Sequence, residues 1–341
     1  MKPVKKIKYM GFWSDFAPQR FFINKILEEK YTLVECDDPD YIICSAFGKP
    51  YCYCKTNAIR LFYSGENFAP DFNLVDYAIG SDNIIFGDRY FRHSDAFNIE
   101  LSNLKRGMTH EELQAKEYFA NFIVGHESEF NLRGDFFKLL SSTYRRVESA
   151  GSFLNNMSDG QSVTRVEKDS FVRRCKFTIC FESTQYLDFT TEKIVDAFLG
   201  NTIPIYLGNP NICEIFNSEA FINVRSRSDF NRAIELIKYL DQNDEEYLNM
   251  ISQPVYINDT LVEKQMSELK KFLFNIFDQP TEKAIRRSRV YMPKSYDDML
   301  YGMFNSTISK QKNLLPLIKS KLAEMFPDLY RKHHVKKYGL K

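Results

Sequence analysis

Three stretches of the chain carry residue types at spacings that suit chemistry on a charged, hydroxyl-rich substrate. The longest is Lys176–Pro210, KFTICFESTQYLDFTTEKIVDAFLGNTIPIYLGNP. It reads as a strand, a polar loop, a helix and a second strand. Thr190 or Thr191 can cap that helix, Glu192 and Lys193 fall in its first turn, and Gly200 suits a left-handed exit. Ile194, Ala197 and Phe198 then share a buried face. Backbone N–H groups, the helix dipole and the Lys193 ammonium converge at one point, an anion site suited to phosphate. The same spacing also fits two ordinary first-turn surface residues. Glu182, just past the first strand, is a ligand contact or a loop acid, whereas Phe177, Ile179 and Phe181 belong to a core.

The second stretch, Leu61–Gly80, reads LFYSGENFAPDFNLVDYAIG. Strand Ile59–Tyr63 ends in Ser64-Gly65-Glu66-Asn67. A carboxylate just past a strand end sits where α/β domains expose catalytic groups. Glu66 can take a proton from a hydroxyl nucleophile if its pKa is raised toward neutrality; the alternative is a turn glutamate. The third is Arg133 in LRGDFFKLL, at the entry of a helix whose Phe136, Phe137 and Leu140 point inward. Its guanidinium either clamps a diphosphate in bidentate fashion or is a solvated surface charge. Asp88 and Arg89, in the row Asp88-Arg89-Tyr90-Phe91-Arg92, line a cleft or form salt bridges.

The elements that must position these residues alternate between two periods. Ile7–Phe12, Tyr31–Glu35, Tyr41–Cys44, Ile59–Tyr63 and Tyr77–Ile79 read as strands, with a helical pattern over Phe21–Glu29. A polar passage from Asn98 to about Lys116 separates these from a second βα series: strand Phe119–Val124, helix Leu132–Leu140, a Gly/Ser/Asn-rich loop over Ser149–Thr164, strand Lys176–Phe181, helix Thr191–Leu199, strands Thr202–Tyr206 and Phe221–Val224, and helix Asp229–Leu240. This rhythm predicts two mostly parallel sheets covered on both faces, with ligands outside the carboxyl ends of their strands. Residues 1–117 and 118–278 are the predicted α/β domains, and 279–341 a helical, charged tail.

Composition narrows the function. Of 341 residues 44% are hydrophobic and 27% charged, the balance of a globular protein. Lys plus Arg number 46 against 45 Asp plus Glu, a net charge of +1, without the basic excess of a dedicated nucleic-acid binder. Seven cysteines without CxxC spacing argue for a reducing compartment rather than a disulfide framework or structural zinc. The five histidines form no HExxH pattern, and no metal cage is expected. The basic start MKPVKKIKYMGFW has no apolar h-region, and no run approaches about 18 apolar residues, so neither a signal peptide nor a spanning helix is expected. GxGxxG, GxxxxGK[ST] and GxSxG are all absent, which leaves nicotinamide, P-loop and serine-hydrolase chemistry without support.

At this point two blocks resemble a known family. Gly65-Glu66-Asn67, Phe72-Asn73-Leu74 and Asp76-Tyr77-Ala78-Ile79-Gly80 are similar to the acceptor-side signature of the α-1,3-fucosyltransferases, glycosyltransferase family 10. Phe181-Glu182-Ser183-Thr184, Thr191-Glu192-Lys193-Ile194 and Ile203-Pro204-Ile205-Tyr206-Leu207-Gly208 resemble its donor-binding signature. The likeness covers roughly Ile7 to Leu240, and the pattern is nearest to the bacterial members, which lack a membrane anchor. The resemblance implies an α/β fold of GT-B type: two Rossmann-like domains facing a central cleft, with C-terminal helices. It implies inverting transfer of L-fucose from GDP-β-L-fucose to a sugar hydroxyl, often O3 of N-acetylglucosamine, with Glu66 as general base. Arg133 and Lys193 would meet the diphosphate and Glu192 the ribose hydroxyls; Glu182, Ser183 and Phe189 fall on the donor side, and Asn67, Asp88 and Arg89 on the acceptor side. Two departures stand out: Phe189 occupies a position where bacterial members often have Tyr, and Ser183 one where Asn is common. These leave open a transferase of the same fold using another GDP-sugar. A non-catalytic glycan-binding relative is the other alternative.

The chemistry agrees with this division of labour. Displacement at an anomeric carbon passes through an oxocarbenium-like state, the attacking hydroxyl needs one base, and the leaving diphosphate needs positive charge. Arg133 and Lys193 can supply that charge, so no bound metal is required; Mg²⁺ or Mn²⁺ is left a stimulatory role in product release. Finally, Leu314–Lys341 interleaves Arg331, Lys332, Lys336, Lys337 and Lys341 with Leu329, Tyr330, Val335, Tyr338 and Leu340. It is either an anchor for an anionic membrane surface or a frayed basic end. The expected location is the cytoplasm, with the inner face of the cytoplasmic membrane as the site of peripheral contact. The expected acceptor is an N-acetyllactosamine-like glycan, lipopolysaccharide or lipid-linked surface polysaccharide.

Overall fold

The computed structural model describes residues 1–47, 53–104, 106–158, 160, 162–258 and 260–303. The basic segment over Leu314–Lys341 lies outside them. In chain order the first unit contains β1 (Val4–Met10), α1 (Phe22–Glu28), β2 (Thr32–Glu35), β3 (Tyr41–Cys44), β4 (Ile59–Tyr63), β5 (Tyr77–Gly80) and β6 (Tyr90–Arg92). After α2 (His110–Gln114) the second unit follows: β7 (Tyr118–Phe122), α3 (Leu132–Thr143), β8 (Val147–Ser149), α4 (Arg165–Arg173), β9 (Cys175–Phe181), α5 (Lys193–Leu199), β10 (Ile203–Leu207), β11 (Ile222–Asn223), α6 (Phe230–Gln242) and α7 (Asp244–Ser252). α8 (Leu261–Asp278) and α9 (Thr281–Ala284) complete the named elements, and residues 291–303 are helical.

Both sheets are parallel throughout. The first has the order β2-β1-β3-β4-β5-β6 and the second β11-β10-β9-β7-β8. In the second sheet the chain starts at β7, adds β8 on one side and β9, β10 and β11 on the other. The strand order therefore reverses between β7 and β9, the point at which doubly wound sheets open a ligand crevice. The central strands YIIC and IPIYL are buried at every residue, as strands covered on both faces must be. β1 begins before the predicted Ile7 and takes in Lys5 and Lys6. Their apolar stems let them stay in the sheet: the Lys5 ammonium lies over the Tyr31 and Tyr41 rings, 5.2 and 5.6 Å from their centroids.

One core lies under the second sheet, where Phe136 and Leu140 of α3 and Ile234 and Ile237 of α6 pack on Phe177, Ile179, Ile203 and Ile205. The other lies under the first sheet, and α8 belongs to it: Leu269, Leu273, Ile276 and Phe277 are fully buried there. The Phe277 ring stacks on Tyr41 at 4.2 Å. The chain thus returns to its first unit after finishing the second, although 118–278 reads as one continuous series in sequence. Two parallel α/β units with a C-terminal helix crossing back form the GT-B arrangement. No helix among the described residues is long and apolar enough to cross a membrane.

The return is pinned by buried charge. Asp76 is fully buried; its Oδ1 accepts the backbone N–H groups of Arg286 and Arg287, and its Oδ2 that of Arg60, all at 2.9 Å. The Arg287 guanidinium also pairs with Oδ2. Arg60, itself buried on β4, bonds Leu74 O and Asp297. Removing one partner of a buried pair leaves the other charge without solvent or counter-ion. Asp76→Ala should therefore lower the unfolding free energy by roughly 3–5 kcal/mol in a urea titration.

Candidate active site

The donor-side candidates gather at the β7/β9 switch point. Glu182 follows the last residue of β9 and has no accessible surface. Its Oε1 accepts the Thr191 N–H at 2.8 Å, and its Oε2 accepts from Thr191 Oγ1 at 2.8 Å and Lys193 Nζ at 3.2 Å. Lys193 Nζ also donates to Thr191 Oγ1 at 2.8 Å. Burial opposes the Lys193 charge, but Glu182 and Glu192 more than offset it and hold the ammonium above its ordinary pKa. Against its own desolvation, Glu192 is kept below the usual carboxylate range by Lys193 and Lys168. Gly208 makes the close approach possible, since a Cβ there would stand 2.5 Å from Glu182 Cγ.

The local structure differs from the sequence reading in three ways. α5 begins at Lys193, with Glu192 as its N-cap, and no side chain caps it; Thr191 is taken by Glu182 instead. The helix has only seven residues, so the positive charge at its start is the ammonium of Lys193 rather than a long macrodipole. Gly200 is not left-handed (φ −75°); its lack of a side chain leaves room for Val172, whose Cγ1 would lie 2.4 Å from a Cβ, and Asn201 takes the left-handed turn at φ +50°.

Arg133, at the start of α3, is 1% exposed rather than a surface charge. Its Nε donates to Phe181 O at 2.9 Å and its Nη1 to His126 O at 3.1 Å. Desolvation lowers its pKa from the ordinary arginine value, opposed by Glu182, Glu127, Glu192 and Glu66, which identifies the charges around it. Two of its donors therefore lock β9 to the loop after β7, and the bidentate clamp expected for it can use only what remains. Ser183 O accepts from Glu129 N–H at 3.0 Å, and Ser183 lines a cavity of about 240 Å³ with Ser128, Leu132, Glu182 and Thr184. Phe189 is 1% exposed and offers a ligand almost no surface.

The loop that carries these residues is tied to the opposite unit. Tyr186 Oη donates to Asp82 Oδ1 at 2.9 Å, Arg92 Nη2 pairs with Asp188 Oδ1 at 3.0 Å, and Ser94 Oγ donates to Thr190 O at 2.7 Å. Asp188 holds φ +65°, a conformation that costs a non-glycine residue on the order of 1 kcal/mol and persists only where surroundings enforce it.

Across this seam stands Glu66. Ser64 Oγ accepts its backbone N–H at 3.2 Å, fixing the turn after β4, and both Glu66 and Asn67 are exposed. Desolvation raises the Glu66 pKa; Lys193 and His126 pull it down, while Glu192 and Glu182 push it further up. A carboxylate on the first unit thus shares an electrostatic environment with the cation cluster of the second. Asp88 and Arg89 do not join it. Asp88 forms an ion pair with Arg286, and Arg89 donates to the carbonyls of Asp76, Phe72 and Val75 between the Phe72 and Phe86 rings. Asp88 thus takes the salt-bridge alternative for that row, while Arg89 is spent on backbone carbonyls.

Asp95 escaped the sequence reading. It lies in the turn after β6, and its Oδ1 accepts from Tyr63 Oη at 2.7 Å. Desolvation raises its pKa to about 6, with Tyr63 opposing and Glu192 and Glu66 adding to the rise. The criterion that selected Glu66, an acid just past a strand, would have found it had the three-residue strand β6 been legible. Taken together, the seam offers cations on one wall for a diphosphate and carboxylates on the other for hydroxyl groups. Because Glu182 anchors Thr191 and Lys193 from a fully buried position, Glu182→Ala should cost on the order of 3 kcal/mol in urea unfolding.

Comparison with known proteins agrees with this geometry. Residues 7–97 match the model of the α-(1,3)-fucosyltransferase FucT N-terminal domain, and residues 113–268 that of the glycosyltransferase family 10 (fucosyltransferase) C-terminal region. The α-(1,3)-fucosyltransferase FucT of Helicobacter pylori is 32% identical over 291 residues, covering 73% of this chain. The match spans 60% of that protein's length. A crystal structure of an α1,3-fucosyltransferase is 28% identical with a TM-score of 0.66, over 85% of this chain and 94% of that one. The structure of an α1,3-fucosyltransferase with GDP-fucose is 29% identical at a TM-score of 0.63, with the same coverage. Two family models matched in order over most of the chain, together with the relative at 32% identity, lead to one conclusion: the chain belongs to glycosyltransferase family 10, the fucosyltransferases.

Proposed function

We propose that this protein transfers L-fucose from GDP-β-L-fucose, with inversion, to a hydroxyl of a glycan, with O3 of an N-acetylglucosamine unit as the favoured position. The observation that carries the reading is the placement of Glu66 on one unit within the electrostatic reach of Lys193 and Glu192 on the other. The diphosphate lies against Lys193 and Arg133, with Glu192 on the ribose hydroxyls. The acceptor oxygen attacks the anomeric carbon from the face opposite the diphosphate, and the carbon–oxygen bond to the β-phosphate breaks. Glu66 takes the acceptor proton, and the charge growing on GDP is met by fixed cations at no cost in reorganisation. The natural acceptor is a lipopolysaccharide or surface polysaccharide chain, and the divalent metals Mg²⁺ and Mn²⁺ are stimulatory at most. A donor other than GDP-fucose has one point in its favour: position 189 is Phe, which has no hydroxyl to offer the sugar and is nearly buried.

Release of GDP from GDP-fucose with and without N-acetyllactosamine tests the reading. Glu66→Gln should lower the acceptor-dependent rate by roughly 10²–10⁴-fold. In the wild type, a raised folded-state pKa means that the base is lost as pH falls through that raised value. The acid limb of kcat/KM for the acceptor should therefore lie above the ordinary glutamate value of 4.5 and vanish in the variant. An acceptor-dependent rate unchanged in the variant removes Glu66 from the role of base.

Nucleotide preference is read separately. GDP at about 100 times its Kd should stabilise the fold by about 2.7 kcal/mol and raise Tm, with UDP giving a smaller shift. Stabilisation by UDP alone would defeat the donor assignment, and a larger effect of another GDP-sugar than of GDP-fucose would favour the second donor.

A further inference from the structure

β6 ends at Arg92, and the turn over Asp95–Phe97 brings Asp95 against the Gly65–Glu66 loop. Its Oδ1 is held twice, by Tyr63 Oη at 2.7 Å and Asn98 Nδ2 at 2.8 Å. Asn98 in turn meets Nε2 of the buried His93 at 2.8 Å. These bonds orient the carboxyl group and occupy one oxygen. The other, Oδ2, takes no hydrogen bond among the described residues, and it stands 2.6 Å from where a Cβ on residue 65 would lie. Any side chain at position 65 would displace or cover that oxygen.

The placement has a chemical meaning. Consecutive Cα atoms are about 3.8 Å apart, so the Asp95 carboxyl and the Glu66 backbone share one small patch of the cleft wall. A carboxylate oxygen in a partly desolvated position needs donors. Sugars present hydroxyl groups on adjacent carbons, one to react and its neighbour to donate. We propose that Asp95 is an acceptor-binding residue: its Oδ2 receives a hydrogen bond from a second hydroxyl of the acceptor sugar, and so fixes which hydroxyl reaches Glu66. This rests on the reading of Glu66 as the base. Asp95 makes the glycine at position 65 part of the acceptor site, as the residue that leaves Oδ2 open.

The test uses the intact acceptor and its monodeoxy analogues, each lacking one hydroxyl, with wild-type enzyme, Asp95→Asn and Asp95→Ser. In Asp95→Asn the two donors to Oδ1 keep the amide oxygen in place, so an NH₂ group replaces Oδ2 and the acceptor becomes a donor. Asp95→Ser is the second variant should the first fold poorly. On wild type, one deoxy analogue other than the one lacking the nucleophile should lose about 10–100-fold in kcat/KM, the range of a hydrogen bond to a charged group. Both variants should lose a similar factor on the intact acceptor, mostly in acceptor KM, and show no further loss on that analogue. The KM for GDP-fucose should move by less than about 2-fold. Losses that multiply for every analogue, or equal rises in both KM values, would make Asp95 a buttress for Tyr63 and overturn the proposal. Absence of acceptor-dependent GDP release by the wild type would instead overturn the reading of the cleft on which it rests.

Discussion

A carboxylate with no access to solvent holds the reactive geometry of this protein together. Glu182 sits at the end of β9 with Thr191 and Lys193 bound to its two oxygens. A lone buried charge of this kind would be strongly unfavourable, so the ammonium must stay beside it. The constraint acts in both directions. Lys193 cannot swing away to solvent without stranding Glu182, and Glu182 cannot turn away without giving up its bonds to Thr191 and Lys193. The Lys193 ammonium is therefore held in place by the fold itself. Arg133, at the same strand end, is fixed by a different device, since two carbonyls rather than a carboxylate hold its guanidinium.

The two units are correspondingly well joined. α8 buries four large side chains in the first core after the chain has completed the second. The Asp76–Arg287 pair and the Arg60–Asp297 pair fasten the segment that follows. On the ligand side, three contacts bridge the seam through the loop over residues 183–191. Affinity for a nucleotide sugar gains when less order has to be imposed on binding.

Much of this was legible in the sequence because its signals are local. Strands buried on both faces announce themselves as apolar runs, and YIIC, IRLFY and IPIYL fall where the pattern places them. The loop after β4, with its charge just past an apolar strand, was legible as well, as was a helix opening near Thr191-Glu192-Lys193. What could not be read depends on contacts distant in the chain. The assignment of α8 to the first core follows from packing across more than 200 residues. Thr191 looks like a cap until Glu182 is found beside it, and Gly200 looks like a left-handed exit until Val172 fills the space. Asp88 and Arg89 look like cleft residues only while Arg286 and the carbonyls around Phe72 are out of view. Asp95 was hidden by the shortness of β6 and by the lack of any local hint that Tyr63 would lie against it.

The dipeptide Ser94-Asp95 touches both units at once. Ser94 grips the carbonyl of Thr190, next to Thr191 and the Glu182 cluster, while Asp95 takes the Tyr63 hydroxyl beside Glu66. A single peptide unit separates the two grips, too short and too stiff to absorb a shift at one end without passing it to the other. Such a linkage couples the two walls: a displacement of the loop at Thr190 would be felt at the turn over Gly65 and Glu66 as well.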